Sequence, residues 1–158
     1  LYQNYLAYAQ RIGGNYIHGL YPKNLLGAVE ESVSILQMRH DEEKLLQFKK
    51  IVQSADYLFL ADDLPYCKYR IRVPETLEDI RMAGKMLHNC LKDYVSKVRE
   101  RETMIAFIEN KEKQNKLIGA IEVRSGKMLQ ALGKCNRKLS IEVTEYLQDY
   151  MQRKQIHD

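Results

Sequence analysis

The apolar residues of this chain change their spacing near residue 61. Before that point they recur at helical intervals, and after it residues 66–73 alternate between apolar and basic side chains. The helical series comprises Leu25, Val29, Val33 and Leu36, followed by Leu45, Phe48, Val52 and Ala55. The pattern predicts one long helix or two consecutive helices over residues 23–56, then a half-buried strand with a basic outer face.

The residues after this strand predict a small sheet flanked by helices. Pro74 ends the strand, and Thr76 with Asp79 suits the start of a helix that is expected to reach Leu91. Three β-type runs follow at residues 104–109, 117–123 and 128–132, and Ser140 is positioned to cap a last helix over residues 141–154. The expected class is therefore α+β, with a helical N-terminal part at residues 1–60. A three- to four-stranded antiparallel sheet flanked by helices is expected within residues 61–158.

Positive charge is concentrated in the second part of the chain. Residues 1–63 carry 6 Lys+Arg and 8 Asp+Glu, whereas residues 64–158 carry 19 and 13, a net charge of +6. A local excess of this kind favours contact with a polyanion such as DNA or RNA. The hydrophobic content of 45% is sufficient for a packed core.

Several other classes of protein are disfavoured by the sequence. No run of about 18 apolar residues is present, so no membrane span is expected. The start of the chain lacks the order of a signal peptide, which predicts a cytoplasmic protein, and Leu1 in place of Met predicts a piece of a longer one. Cys67, Cys90 and Cys135 have unrelated spacings, which favours reduced thiols and predicts neither a metal site nor a cofactor.

A basic stripe surrounds His88 on the predicted helix. At about 100° per residue, the four side chains of the stripe fall within about 60° of arc. They are Arg81, Lys85, His88 and Lys92. Such a stripe fits either a solvated helix face or a phosphate-binding surface, where the imidazole would act as a general base. Cys90 lies on the opposite flank, where a buried and inert thiol is expected.

A second basic segment covers residues 133–138. Lys134, Arg137 and Lys138 are further candidates for nucleic-acid binding, although an ordinary basic turn has the same composition. Gly133 is expected to supply a positive φ at the end of a strand.

Glu122 is an acid within an otherwise apolar strand, so it is either solvated or functional. An even hairpin register would place Glu122 and Gln130 on opposite faces, and a slip of one residue would bring them together.

These motifs together resemble the PcfJ-like family of mobile-element proteins. The resemblance runs from residue 21 through the last helix and is carried by residues 84–90 with Tyr94, residues 121–122, and Gln130 with residues 133–136. It implies a setting in conjugative plasmids, integrative elements or phages, with DNA, RNA or other mobile-element proteins as partners. It also implies a shared polar site that includes His88, Cys90, Gln130 and Asn136. The sequence departs from the family pattern at Asn89, where a His is expected, and at Lys92, where a Gly is expected.

The sequence is compatible with three functions. The first is a nucleic-acid-binding accessory module that uses the two basic segments. The second is an enzyme acting on nucleic acid or a nucleotide, whose candidate catalytic residues are His88, Glu122, Gln130 and Asn136. The third is a protein–protein adaptor that uses the apolar residues of the long N-terminal helix.

Overall fold

The computed structural model describes residues 1–14 and 18–158. These residues divide into two compact units, Leu1–Gln47 and Phe48–Asp158. Helices α1 (Tyr2–Arg11), α2 (Leu25–Val52) and α3 (Ala55–Phe59) come first, so the helical spacing over residues 23–56 predicted the long helix correctly. The expected boundary between residues 60 and 61 stays a prediction.

The N-terminal unit has a small core of its own. Tyr5 and Ala9 of α1 are buried together with Ala28 of α2. The Tyr5 hydroxyl donates a hydrogen bond to the carbonyl of Gly19, and the Arg39 guanidinium donates to the carbonyl of Ile12 over 2.9 Å. The small alanines allow close packing, while these two bonds satisfy carbonyls of the connecting segment.

The second unit is built on a four-stranded antiparallel sheet, which confirms the α+β class. Its strands lie in the order β1-β2-β3-β4. They are β1 (Tyr69–Arg72), β2 (Met104–Asn110), β3 (Lys116–Arg124) and β4 (Lys127–Gly133). Helix α3 also belongs to this unit, together with α4 (Leu77–Leu87), α5 (Val95–Arg99) and α6 (Ile141–Lys154). Three 3₁₀ helices lie at Leu91–Tyr94, Lys111–Lys113 and Lys134–Asn136, and we call the first of them the 3₁₀ helix.

Helices cover both faces of this sheet. The rings of Tyr69 and Tyr146 lie 5.6 Å apart, so α6 packs on the face that carries Tyr69. On the other face, Arg72 forms an ion pair with Asp79 of α4 over 3.8 Å. Strand register places Glu122 and Gln130 on this second face, beneath the helical segment that includes Leu91–Tyr94.

The predicted alternation of β1 is present, but its basic face is not open to solvent as expected. Arg70 and Arg72 are half-buried, and both bind the buried carboxylate of Glu109 on β2, over 2.7 and 3.1 Å. The reason is that α4 packs over this face and partly shields the two guanidinium groups from water. Because a buried charge must be paired, both groups bind the carboxylate of Glu109.

Tyr57 of α3 completes the hydrogen bonding of β2 beyond the end of β1. Strand β1 stops at Arg72, which pairs with Phe107, and leaves Ile105 without a strand partner on that side. The Tyr57 hydroxyl accepts from the backbone N–H of Ile105 over 2.9 Å and donates to its carbonyl over 2.8 Å. Burial raises the pKa of Tyr57 well above its usual value.

Helix α4 ends at Leu87, so the prediction that it reaches Leu91 was wrong. Its N-terminus is as expected, with a capping box between Thr76 and Asp79. At the other end, His88 adopts a left-handed conformation with φ 49° and ψ 48°. The N–H of His88 then bonds to the carbonyl of Lys85, and the N–H of Asn89 to that of Gly84, which is the Schellman pattern.

Gly84 explains why the chain turns back here. A side-chain carbon on Gly84 would lie 3.2 Å from the backbone nitrogen of Lys92, closer than most such contacts, so glycine favours the close approach of the returning chain. The turn buries Leu91 completely in the core. The apolar spacing of the sequence correctly predicted that Leu91 faces the core, but it wrongly predicted that Leu91 belongs to α4.

Candidate nucleic-acid interface

Two loops that are distant in sequence contact each other beside the end of β4. We call residues His88–Cys90 and Gly133–Asn136 together the loop crossing. The amide of Asn89 donates to the carbonyl of Gly133 over 3.5 Å, and the thiol of Cys90 lies 3.9 Å from Oδ1 of Asn136. The motif around His88 and the basic segment at residues 133–138, which are distant in the sequence, therefore form one continuous surface.

The loop crossing concentrates left-handed backbone at residues other than glycine. His88, Cys135 and Asn136 have φ values of 49°, 55° and 56°. Each such residue costs on the order of 1 kcal/mol, and such strain is found at functional sites as well as at turns and helix C-termini. The expectation of a positive φ at Gly133 was wrong, because its φ is −92°. Gly133 is required for space instead, since a side-chain carbon there would lie 2.8 Å from the carbonyl oxygen of Arg137.

One basic groove, which we call the helix groove, lies along the end of α4. It has a volume of about 460 Å³, and its lining includes all four residues of the predicted stripe. These are Arg81, Lys85, His88 and Lys92. Lys92 belongs to the 3₁₀ helix rather than to α4, so the stripe is formed by two segments and not by a single helix face. Arg81 pairs with Glu78 over 3.4 Å, whereas in the described part of the chain Lys85 and Lys92 form no ion pair.

A second basic groove, the loop groove, has a volume of about 420 Å³. It is lined by five cationic side chains from three segments of the second unit. These are Lys68, Lys113, Lys134, Arg137 and Lys138. A hydrogen bond to Glu142 raises the pKa of Lys68 and partly offsets its charge. The other four cations have no ion-pair partner among residues 1–14 and 18–158.

The two grooves adjoin at the loop crossing. Asn89 lines the helix groove, Gly133 lines the loop groove, and these two residues are hydrogen-bonded to each other. All six residues predicted to bind nucleic acid therefore line one or the other of two neighbouring grooves. Their interaction with nucleic acid stays a prediction.

Glu122 and Gln130 form a buried polar network on the sheet beneath the 3₁₀ helix. A bulge between Glu122 and Val123 makes Glu122 pair directly with Gln130, so the slipped register is the one that occurs. The carboxylate accepts from Thr103 over 3.0 Å and from the amide of Gln130 over 3.1 Å. The same amide nitrogen donates to the hydroxyl of Tyr94. Glu122 is only 5% exposed, so the alternative of a solvated acid was wrong.

A sequence model of the PcfJ-like protein family matches residues 1–151 of this chain. The chain belongs to the PcfJ-like family. An uncharacterized protein of Listeria innocua, Lin1253/Lin1744, is 30% identical over 127 residues, which cover 78% of this chain and 27% of that protein. The chain thus spans about a quarter of the length of this curated relative. No solved structure matches the chain.

In this PcfJ-like chain the four candidate catalytic residues are distributed over three places. His88 lines the helix groove, Asn136 lies in the loop crossing, and Glu122 and Gln130 are joined beneath the 3₁₀ helix. Among the described residues, no hydrogen bond links His88 or Asn136 to the buried pair. Sequence reasoning also missed Thr103 as a partner of Glu122, because an isolated Thr before a strand carries no distinctive signal.

The described part of this PcfJ-like chain contains neither a disulfide nor a cluster of metal ligands. Its three cysteines are free thiols, and Cys90 is half-buried against Asn136 rather than fully enclosed. No group of three or more His, Cys, Asp or Glu residues in that part is placed to hold a metal ion. None of its helices is long and apolar enough to cross a membrane.

Proposed function

We propose that this chain is a nucleic-acid-binding accessory module of a mobile genetic element and that it acts in the cytoplasm. The observation that supports it is the meeting of the helix groove and the loop groove at the loop crossing. Cations from two separate sequence motifs thereby line one surface, as recognition of a phosphate backbone requires. The PcfJ-like family supports the setting, with DNA or RNA and other mobile-element proteins as partners.

Binding to this surface depends on charges that are available to a ligand. Lys85 and Lys92 in the helix groove are exposed and form no ion pair within the described residues. Three more such cations lie in the second basic motif, at Lys134, Arg137 and Lys138. If these five cations contact phosphates, raising the salt concentration from about 50 to 200 mM weakens binding about 100-fold for a single strand and about 500-fold for a duplex.

Fluorescence anisotropy with labelled single- and double-stranded DNA and RNA tests this proposal. The informative variant replaces Lys134, Arg137 and Lys138 with Gln. It is expected to bind more weakly than the wild type at low salt and to show a shallower dependence on salt, because fewer counterions are released.

A matched variant removes three charges elsewhere. Arg99, Arg124 and Lys127 are exposed and line neither basic groove. Their replacement with Gln lowers the net charge equally and is expected to leave most of the binding intact. Equal losses in the two triple variants would show a nonspecific charge effect and contradict the proposed surface.

A second candidate function is catalysis on nucleic acid with His88 as the acid or base. The observation in its favour is the cluster of three left-handed residues at the loop crossing, which includes His88. The samples used for anisotropy, run on a denaturing gel, would contain cleaved strands in this case. Cleavage that disappears in His88→Ala would support the enzyme, and intact strands would exclude strand cleavage under those conditions.

A third candidate is an adaptor for another protein. Helix α2 exposes large apolar side chains within the N-terminal unit, among them Leu26, Met38 and Leu46. Such residues are typical of a helix that binds a partner. A homodimer in sedimentation measurements that is lost in Met38→Glu, without any salt-sensitive binding of nucleic acid, would favour this function.

A further inference from the structure

One aromatic side chain of the second unit is fully exposed. Tyr66 lies in the loop between α3 and β1, and its side chain is as accessible as in an extended peptide. Most other tyrosines of this unit, such as Tyr57 and Tyr150, are buried and have hydrogen-bonded hydroxyl groups. The stability of the fold therefore does not explain why an aromatic ring occupies position 66.

The loop that carries Tyr66 is anchored on both sides of the ring. Lys111 holds it from the end of β2, since the Lys111 ammonium donates to the carbonyl of Leu64 over 2.6 Å. The backbone N–H of Lys111 also donates to the carbonyl of Lys68 over 2.9 Å. A turn within the loop is closed by the N–H of Cys67, which bonds to the carbonyl of Leu64 over 3.1 Å. The backbone at Tyr66 is thus fixed before any ligand arrives.

This anchored loop leads directly into the loop groove. Lys68, which follows Tyr66 closely and forms one anchor of its loop, lines the groove. Lys113, from the 3₁₀ turn that begins with the second anchor Lys111, also lines the groove. The exposed ring of Tyr66 lies two residues before Lys68, which lines a groove with five cations. The neighbourhood therefore combines the two elements that bind single strands, an aromatic platform and a basic track.

We propose that the loop groove binds single-stranded nucleic acid, with a base stacked on the ring of Tyr66 and the adjoining phosphates on Lys134, Arg137 and Lys138. Bases in a duplex are stacked on one another and present only their edges, whereas an unpaired base has a free face. Tyr66 is therefore the residue that selects single strands. This inference rests on the proposed function and adds the class of nucleic acid.

The test compares three labelled probes by fluorescence anisotropy on the full chain. The probes are a single strand of about 15 nucleotides, an abasic strand with the same number of phosphates, and a duplex. DNA and RNA versions of the single strand show which sugar is preferred. The variants are Tyr66→Ala and Tyr66→Phe, and because the side chain is fully exposed, both are expected to fold as the wild type does.

The wild type is expected to bind the base-bearing strand more tightly than the abasic strand and the duplex. Tyr66→Ala should weaken binding of the base-bearing strand by about fivefold to 100-fold and leave the abasic strand unchanged. Tyr66→Phe keeps the aromatic face and should retain the wild-type affinity.

The failure of this inference is separable from the failure of the proposed function. Unchanged binding of the base-bearing strand by Tyr66→Ala overturns the stacking role. If Tyr66→Ala leaves binding unchanged but the triple Gln variant at positions 134, 137 and 138 loses binding, the proposed nucleic-acid function stands and only the stacking role of Tyr66 is overturned. A wild-type protein that binds none of the probes at low salt overturns both.

Discussion

Replacing His88 with Gly and with Ala separates the backbone strain at the loop crossing from the chemistry of the imidazole. His88 has φ 49° and ψ 48° and closes helix α4 in a position that usually contains Gly. Left-handed backbone costs a residue with a Cβ about 1–2 kcal/mol, whereas Gly avoids this cost but loses about 0.5–1 kcal/mol of backbone entropy on folding. The Gly variant should therefore exceed the Ala variant in free energy of unfolding by about 1 kcal/mol.

Urea unfolding followed by circular dichroism measures this difference, which corresponds to a few degrees in Tm for a chain of this size. Both variants lack the imidazole, so a functional role of the ring predicts equal losses of activity or binding despite their different stabilities. Ala and Gly variants of equal stability would refute the reasoning that left-handed strain is present at this residue. A Gly variant that binds nucleic acid better than the Ala variant would show that the conformation of the loop matters more than the ring.

Three further predictions concern stability. Tyr57→Phe removes the partner of both backbone groups of Ile105, each worth about 1–3 kcal/mol when left unsatisfied, and should lower the free energy of unfolding in urea by at least about 2 kcal/mol. Gly133→Ala places a carbon 2.8 Å from a backbone carbonyl, so it should lower the Tm by several degrees in calorimetry, and an unchanged Tm would contradict the close approach. Burial raises the pKa of Tyr57, Tyr146 and Tyr150, so neutral phenols stabilise the folded state fully below about pH 10, and that stabilisation is lost as the pH rises toward their folded-state pKa values. Phenolate absorbance that appears before unfolding and is smaller in Tyr57→Phe than in the wild type would contradict this last expectation for Tyr57.

The regular elements of the fold followed from local patterns in the sequence. Ser140 begins α6 as predicted, and its hydroxyl accepts from the N–H of Val143 over 3.3 Å. The β3-β4 hairpin lies over the runs predicted at residues 117–123 and 128–132, and it turns at Ser125 and Gly126, both of which have positive φ. These features depend on neighbouring residues alone, so sequence spacing was sufficient to predict them.

The errors arose where distant parts of the chain determine the local conformation. The end of α4 depends on the space that Gly84 leaves for Lys92, and the role of Gly133 depends on its approach to Arg137. The register of Glu122 depends on a bulge, which no local pattern specified. The cations that line the two grooves were visible as clusters in the sequence, but the contact between Asn89 and Gly133, which joins the grooves, was not.

In the buried network beneath the 3₁₀ helix, the donor and the acceptor of each hydrogen bond are fixed. A carboxylate only accepts hydrogen bonds, so Glu122 requires the side chain of Gln130 to present its NH₂ group and not its oxygen. That same nitrogen donates to the Tyr94 hydroxyl, whose own hydrogen must therefore point away from Gln130. The carboxylate of Glu122 thus sets the orientation of the Gln130 amide, and this amide in turn sets the orientation of the Tyr94 hydroxyl. The hydroxyl of Tyr94 is therefore a donor that points away from the network.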